Sequence, residues 1–156
     1  MQFIKKASYN MQTFLPYQSF IQSASCLDMR RLGKQRVETK QILIALSDST
    51  YGWQNHPAVK MWKGYESTLA YYGYTICYEW RLQGYRDEQL DWFDSILWNR
   101  LHKVGLLLDQ SELPIPHWLD ESFCISHRSN LIRKMPEHYG PMWPGIPNDL
   151  EYIWPV

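Results

Sequence analysis

This sequence contains few of the features that are typical of membrane, secreted or metal-dependent proteins. Its 156 residues include three cysteines, an odd number without a CxxC pair, which predicts buried thiols in a reducing compartment rather than a disulfide framework. No apolar run approaches the roughly 18 residues of a membrane helix, and the start lacks the apolar stretch of a secretory signal. The five histidines show no spacing typical of metal ligands. We therefore expect a cytoplasmic protein with no membrane partner, no metal and no cofactor.

Net charge is also missing, because sixteen basic and sixteen acidic side chains cancel. The two signs are nevertheless separated along the chain, with acids concentrated at 86–94 and 109–121 and bases at 30–40 and 127–134. Such a molecule can present one positive face to a polyanion. Aromatic residues, by contrast, are abundant, with eight tryptophans and eleven tyrosines, and these side chains suit both a core and stacking on bases.

Strand signals are absent as well, because no stretch alternates apolar and polar residues for long, whereas helical spacing of apolar residues recurs. The sequence predicts an all-α fold in which about four to five helices pack around a long central helix. These helices form a single domain, 11–156, after an N-terminal extension, 1–10. The central helix is predicted to run for about 26 residues, from Pro57 to Gly84.

Capping residues, glycines and prolines bound the other predicted elements. These are a short helix after Ser19, a helix at 29–46 capped by Asp28, a helix after Asp87 that continues to Leu108 with an interruption near Gly105, and a short helix from 120 or 122 to 134 that Pro136 ends. The tail, 137–156, is predicted to be an ordered coil packed on the helices, because its aromatic residues need burial.

The basic run at 30–40 carries one carboxylate, Glu38, which is its most informative feature. Basic residues on a helix are the usual footprint of phosphate binding, whereas a carboxylate there repels a polyanion and needs a separate reason. Chemistry on a nucleic acid is one such reason, because a carboxylate among cations stays ionised and can stabilise the oxocarbenium-like sugar of glycosidic cleavage. The alternative is a solvated helix face on which Glu38 balances charge through an i,i+4 pair with Lys34.

This hypothesis assigns catalysis to Glu38 and Arg36 and DNA binding to a larger set of polar side chains. The second basic run, 126–134, would clamp phosphates or would be only a polar surface. Tyr139 would stack on a base or pack in the core, and His56 would face a ligand or cap a helix. The predicted DNA-binding residues are Arg30, Arg31, Lys34, Lys40, His56, His127, Arg128, Asn130, Arg133, Lys134 and Tyr139.

Taken in order from Met11, these pieces resemble the pyrimidine-dimer DNA glycosylase family, the phage endonuclease V kind, and its uncharacterised bacterial relatives. Residues 32–38 are similar to the family's Leu-x-x-x-x-Arg-Glu helix. Residues 56–66 are similar to its histidine-containing turn before a long aromatic helix, and 136–139 to its Pro-x-x-Tyr element. The resemblance rests on the order and spacing of these pieces.

The resemblance implies a monomeric repair enzyme of a bacterium or of a phage- or virus-infected cell, acting on duplex DNA. Such an enzyme flips a nucleotide out of the duplex and cuts the N-glycosidic bond of a damaged or modified pyrimidine. A β-lyase step then follows through a Schiff base on the N-terminal amine. Glu38 and Arg36 would be the family's glutamate and arginine.

Two departures from the family pattern concern the catalytic groups. Val37 separates Arg36 from Glu38, where the family has arginine and glutamate side by side. Glutamine follows each candidate start methionine, at 2 and at 12, and such a bulky residue usually blocks removal of the methionine. We therefore expect little or no borohydride trapping of the full-length protein, and base excision that leaves the abasic site intact. A non-catalytic binder of nucleic acid or of a nucleotide ligand is the alternative function.

Overall fold

The structure, a computed structural model, describes residues 11–156, among which there are seven α-helices, two 3-10 turns and no strand. The helices are α1 (Phe20–Cys26), α2 (Met29–Ser47), α3 (Pro57–Lys60), α4 (Glu66–Leu82), α5 (Leu90–Leu101), α6 (Glu121–Lys134) and α7 (Pro136–Tyr139). The predicted all-α fold is confirmed, whereas the predicted extension, 1–10, lies outside the described residues. None of the described helices has the length and apolarity that crossing a membrane requires.

Three helices begin where the sequence predicts a cap. The side chains of Ser19, Asp28 and Asp120 each accept a hydrogen bond from a backbone N–H of the first turn, at 3.2, 3.3 and 2.9 Å. An oxygen at this position satisfies an N–H group that has no partner inside the helix. The starts of α1, α2 and α6 are therefore confirmed, and α2 ends at Ser47, one residue later than predicted.

The prediction of a single long helix from Pro57 to Gly84 is wrong. α3 ends at Lys60, and a turn over 61–65 separates it from α4. Within this turn Gly64 has a φ of 88°, in the left-handed region that glycine tolerates and that a helix interior cannot contain. The apolar periodicity continues across the break, so the pattern alone could not reveal it. Gly84, with a φ of 91°, closes α4 as predicted.

The second of the two helices in this region, α4, is the centre of the fold. It has 17 residues and packs against α1, α2 and α5, which confirms the predicted arrangement around a central helix. Leu69, Tyr72 and Ile76 are fully buried along it. At Gly73 an added Cβ would lie 2.3 Å from the ring of Phe93, so the missing side chain allows α5 to approach.

α5 is shorter than the apolar stripe that predicted it. Asp87 accepts a hydrogen bond from the first N–H of α5 at 2.9 Å, but the residue directly before the helix is Gln89, not Asp87 as predicted. The helix ends at Leu101 because His102 has a left-handed φ of 56°. A 3-10 turn, Gly105–Leu107, follows, which confirms the predicted interruption but places Leu108 outside the helix.

The tail is packed on the helices as predicted. α6 ends before Pro136, but this proline begins α7, because proline suits a first helical turn. Beyond α7 the chain is coil in which Trp143 is buried and Tyr152 and Trp154 are partly buried against the core. Aromatic burial thus holds the tail without further helix.

An extended segment, 11–16, is buried between the helices and is held by their side chains. Gln35 accepts a hydrogen bond from the N–H of Phe14 at 3.0 Å and donates one to the carbonyl of Gln12 at 2.7 Å. His127 Nδ1 accepts the next N–H along the chain at 3.0 Å. Buried backbone groups require such partners, so α2 and α6 fix the position of this segment.

Candidate active site

Glu38 lies partly buried on α2, where the segment 11–16 passes. Its Oε2 accepts a hydrogen bond from Gln35 Nε2 at 3.1 Å and a longer one from the backbone N–H of Gln12 at 3.4 Å. The first donor belongs to the preceding turn of the same helix, and the second belongs to the extended segment. The carboxylate is therefore held in one orientation by two elements.

Burial raises the pKa of Glu38 above its ordinary value, although the Gln12 N–H, the charge of Lys34 and the Gln35 amide act to lower it. The expectation that neighbouring cations keep this pKa low is thus wrong. Loss of hydration disfavours the charged carboxylate more than the cations favour it. A carboxyl group whose pKa is shifted toward neutrality is better suited to exchange a proton than an exposed one.

A pocket of about 230 Å³ opens beside Glu38, and cations from two helices line it. The lining residues are Phe14, Arg30, Arg31, Lys34, Glu38 and Lys134. The first basic run supplies three of the cations, and Lys134, the last residue of α6, supplies the fourth. The structure therefore joins the two basic runs of the sequence at this one pocket, which we call the Glu38 pocket.

Most cations of the Glu38 pocket have no acidic partner. Arg31 pairs with Asp28 at 3.1 Å. Within residues 11–156, no carboxylate lies within 4.0 Å of the charged groups of Arg30, Lys34 or Lys134. Burial and the charges of neighbouring cations lower the pKa of Lys134, and Glu38 only partly opposes them. Such a cluster attracts an anion, which would relieve the repulsion between its cations.

A second depression, of about 680 Å³, adjoins the Glu38 pocket and shares Arg30, Lys34 and Glu38 with it. Its other lining residues are Met29, Gly33, Val37, Gln41 and Trp80. Trp80 forms its wall, with ring carbons 3.1 Å from the position of a Cβ at Gly33. Met29 and Val37 are exposed there, so this groove is more apolar than the pocket.

Arg36, predicted as catalytic, does not face Glu38. Its guanidinium donates to Asp87 at 2.6 Å and lies 4.5 Å from the centre of the Trp80 ring. Two residues along a helix correspond to about 200° of rotation, which places Arg36 and Glu38 on different sides of α2. We therefore leave Arg36 out of the candidate site. Its observed role is to join α2 to the turn before α5.

Two residues predicted to bind DNA lie apart from the Glu38 pocket. Lys40 places its ammonium 5.0 Å from the centre of the Trp92 ring. His56 is buried, and its Nδ1 accepts a hydrogen bond from the N–H of Ala58 at 2.9 Å, so it caps α3. Burial lowers the pKa of His56, which favours the neutral ring. The sequence left two roles open for His56, and in the structure this residue caps a helix.

His127 and Tyr139, also predicted to bind DNA, are fully buried. Burial lowers the pKa of His127 to about 3, so its ring is neutral at physiological pH. The Tyr139 hydroxyl accepts a hydrogen bond from the N–H of Asp28 at 2.9 Å and packs face to face with Trp143, with ring centres 5.5 Å apart. Because neither side chain reaches the surface, both belong to the core rather than to a phosphate site.

The other polar residues of α6 bind the chain's own backbone. Arg128 donates to the carbonyl of Pro16 at 2.7 Å and pairs with Glu121 at 3.1 Å. Asn130 and Arg133 both donate to the carbonyl of Leu150, at 3.1 and 3.0 Å. These contacts fix the buried segment and the tail, so Lys134 is the one residue of this run that lines the Glu38 pocket.

The site also includes residues that the sequence did not single out. Gln12 and Gln35 orient the carboxylate, and Phe14 forms one wall of the pocket. A helix places Gln35 one turn before Glu38, so spacing could have suggested that contact. Gln12 entered the sequence analysis only as the residue after a candidate start methionine. Nothing in the local sequence could have suggested its contact with Glu38 or the role of Phe14, because only the tertiary fold brings the segment 11–16 to α2.

Comparison with known proteins identifies the family of the chain. A family model described as pyrimidine dimer DNA glycosylase matches residues 11–93, more than half of the chain. The matched region contains Glu38 and the pocket cations of α2, whereas α6 with Lys134 lies beyond it. No curated protein and no solved structure matches the chain. The chain belongs to the pyrimidine dimer DNA glycosylase family.

Proposed function

We propose that the protein is a DNA glycosylase that cleaves the N-glycosidic bond of a damaged pyrimidine, of the pyrimidine-dimer kind, in duplex DNA. One observation carries this proposal: a single carboxyl group, Glu38, is held among four cations, of which only Arg31 has an acidic partner within residues 11–156. Membership of the family supports the class of reaction. The Glu38 pocket supports the location of the reaction.

In the proposed reaction, ionised Glu38 accepts a proton from a water molecule whose oxygen attacks the sugar carbon C1′. The new C1′–O bond replaces the C1′–N bond, and the base leaves with the bonding electrons and takes up a proton. The negative carboxylate also stabilises the positive charge that develops on the sugar. Because the pKa of Glu38 is raised, its affinity for the proton is greater than that of an exposed glutamate.

Arg30, Lys34 and Lys134 would bind the phosphates on either side of the attacked sugar. Phosphates would supply the negative charge that these cations lack within residues 11–156. The Glu38 pocket suits a sugar and its phosphates, whereas the more apolar groove beside Trp80 suits an extruded base. Glu38 lines both depressions, so it would lie between the bound sugar and the extruded base.

The test is cleavage of the N-glycosidic bond in duplex DNA that contains a single cyclobutane pyrimidine dimer. Strand breaks after alkali report abasic sites, and the Glu38→Gln variant is compared with Glu137→Gln, which changes an exposed glutamate outside the pocket. We expect cleavage with the parent and with Glu137→Gln and none with Glu38→Gln. Specific binding of the dimer duplex without any formation of abasic sites would contradict the proposal and would favour the non-catalytic alternative.

A further inference from the structure

Exposed apolar side chains gather on one side of α4. Two adjoining depressions there, of about 240 and 440 Å³, share Tyr74, Tyr78 and Leu106, so together they form one groove, which we call the Leu106 groove. Leu106 is 71% exposed, and Ile21 in one depression and Leu82 in the other are also exposed. Single apolar residues on a surface are ordinary, whereas a contiguous group of them marks a site of contact with another molecule.

The floor of the Leu106 groove is held in place by packing and by hydrogen bonds. Three tyrosines of α4 form a row, with ring centres 6.1 Å apart for Tyr71 and Tyr74 and 6.0 Å apart for Tyr74 and Tyr78. An added Cβ at Gly105 would lie 2.5 Å from the Tyr74 ring, so the missing side chain allows the 3-10 turn to lie against this row. Asp94 accepts a hydrogen bond from the N–H of Gly105 at 2.7 Å, which fixes the turn to α5.

Carboxylates border the Leu106 groove. Asp94 lines it, and the charge of Asp94 adds to the burial that raises the pKa of Tyr74 to about 12. Burial likewise raises the pKa of Tyr71, and the charge of Asp109 adds to that shift, so this carboxylate also lies near the row of tyrosines. Among residues 11–156, no cation lies within 4.0 Å of the carboxylate of either aspartate.

Two cations near the groove already have acidic partners. Arg81, which lines the groove, pairs with Asp87 at 3.2 Å, and Lys103 pairs with Glu112 at 3.2 Å. The Leu106 groove therefore combines exposed apolar residues with unmatched negative charge, whereas the unmatched charges of the Glu38 pocket are positive. An occupant that carries positive charge beside apolar groups would complement the groove.

We propose that the Leu106 groove binds a second protein through a segment in which apolar side chains stand next to lysine or arginine. The apolar side chains would cover Leu106 and the row of tyrosines, and the cations would pair with Asp94 and Asp109. The two aspartates would repel the phosphates of nucleic acid or of an anionic membrane, so neither suits this groove. A second copy of the chain is a poorer fit, because the Glu38 pocket, which would supply the positive charge, is itself concave.

A partner in the Leu106 groove would leave the Glu38 pocket open. Tyr78 lines the first site and Trp80 lines the depression beside the second, and both residues belong to α4. Two residues along a helix correspond to about 200° of rotation, so the two sites lie on different sides of α4. The inference goes beyond the proposed function and does not depend on it, because the partner would bind whether or not the protein cleaves DNA.

The experiment measures the binding of a labelled synthetic peptide to the full chain by fluorescence anisotropy, in the absence of DNA. The peptide is a helix of leucine and lysine with the leucines along one face, and its counterpart has glutamate in place of every lysine. We expect the lysine peptide to bind and the glutamate peptide not to bind, because Asp94 and Asp109 attract the first and repel the second.

Variants of the chain locate the binding. Leu106→Asn should weaken binding of the lysine peptide by about tenfold, because it removes an apolar contact without changing the charge. Ile115→Asn is the matched control, since Ile115 is 68% exposed and lines neither depression, and its affinity should equal that of the parent. Asp109→Asn should weaken binding by roughly two- to fivefold and reduce its salt dependence, with Asp149→Asn in the tail as its control.

Three results of the peptide assay would overturn the proposal: no binding of the lysine peptide, equal binding of the two peptides, or undiminished binding by Leu106→Asn. Self-association of the parent in sedimentation velocity that Leu106→Asn abolishes would instead assign the groove to a second copy of the chain. Peptide binding that requires removal of residues 1–10 would assign the groove to the chain's own first residues, which also contradicts the proposal.

Discussion

The two sides of α2 each combine a carboxylate with arginines or lysines, but they differ in how the charges are matched. On one side Asp87 has a fully buried side chain and accepts from Arg36 at 2.6 Å and from Arg81 at 3.2 Å. Burial acts to raise the pKa of Asp87, but hydrogen bonds from Arg36 and from backbone N–H groups outweigh it, so the pKa is lowered. On the other side, burial prevails and the pKa of Glu38 is raised.

This difference separates charges that hold the fold from charges that are available to a ligand. The Asp87 cluster, Arg36, Arg81 and Asp87, satisfies itself and joins α2, α4 and the start of α5. The Glu38 pocket instead leaves a carboxylate partly desolvated and several cations without acidic partners. Proteins tolerate such local mismatches mainly at functional sites, where a ligand completes the interactions.

The sharpest way to test the comparison is to neutralise Glu38. Glu38→Gln should lower the rate of glycosidic-bond cleavage by roughly 10²–10⁴-fold, because it removes the proton acceptor while keeping the side-chain volume. Single-turnover kinetics on a dimer duplex measures this rate, and fluorescence anisotropy measures affinity. Affinity should not fall, because the carboxylate repels phosphate. An unchanged rate would remove Glu38 from the mechanism.

The corresponding change on the other side of α2 is Asp87→Asn. It should lower the free energy of unfolding by about 3 kcal/mol, because it leaves the largely buried guanidinium of Arg36 without its counter-ion. Chemical denaturation measures this loss, and Glu88→Gln, in an exposed pair with Arg86, is the control with an expected change within about 0.5 kcal/mol. DNA affinity of the folded Asp87→Asn protein should match that of the parent. A large loss of affinity with little loss of stability would reverse the roles assigned to the two sides.

The salt dependence of DNA binding should distinguish the basic residues that contact phosphate from those that hold the fold. Alanine at Lys34 or Lys134 should each reduce the slope of log affinity against log salt by roughly one, because each removes one phosphate contact. Alanine at Arg133, which donates to the tail carbonyl of Leu150, should leave the slope unchanged while lowering stability. Equal slopes for all three variants would show that the Glu38 pocket does not face the DNA.

The sequence alone could predict the helical class, the caps of α1, α2 and α6, and the presence of Glu38 on a basic helix, because each depends on local spacing. Helical periodicity could not show the break at Gly64, since the apolar stripe continues through it. Charge in the sequence could not separate Arg133 from Lys134, which are adjacent but differ in partners: one holds the tail, and the other lines the pocket. The raised pKa of Glu38 was likewise beyond the sequence, because it results from burial, which only the tertiary fold determines.

The smallest expected effect concerns stability as a function of pH. Because the pKa of Glu38 is raised in the folded protein, the folded state binds its proton more tightly than the unfolded state does. The stabilisation is therefore complete below the ordinary value of 4.5 and is lost as the pH rises through the folded-state pKa. Glu38→Gln lacks this titration, so its stability relative to the parent should increase across that interval and then level off. The lowered pKa values of Asp28 and Asp87 produce the opposite trend, but both proteins share them and the difference cancels it. Urea denaturation of the two proteins at a series of pH values measures the difference; a parent that instead gains stability over Glu38→Gln with rising pH would show that the cations, and not burial, control this carboxyl group.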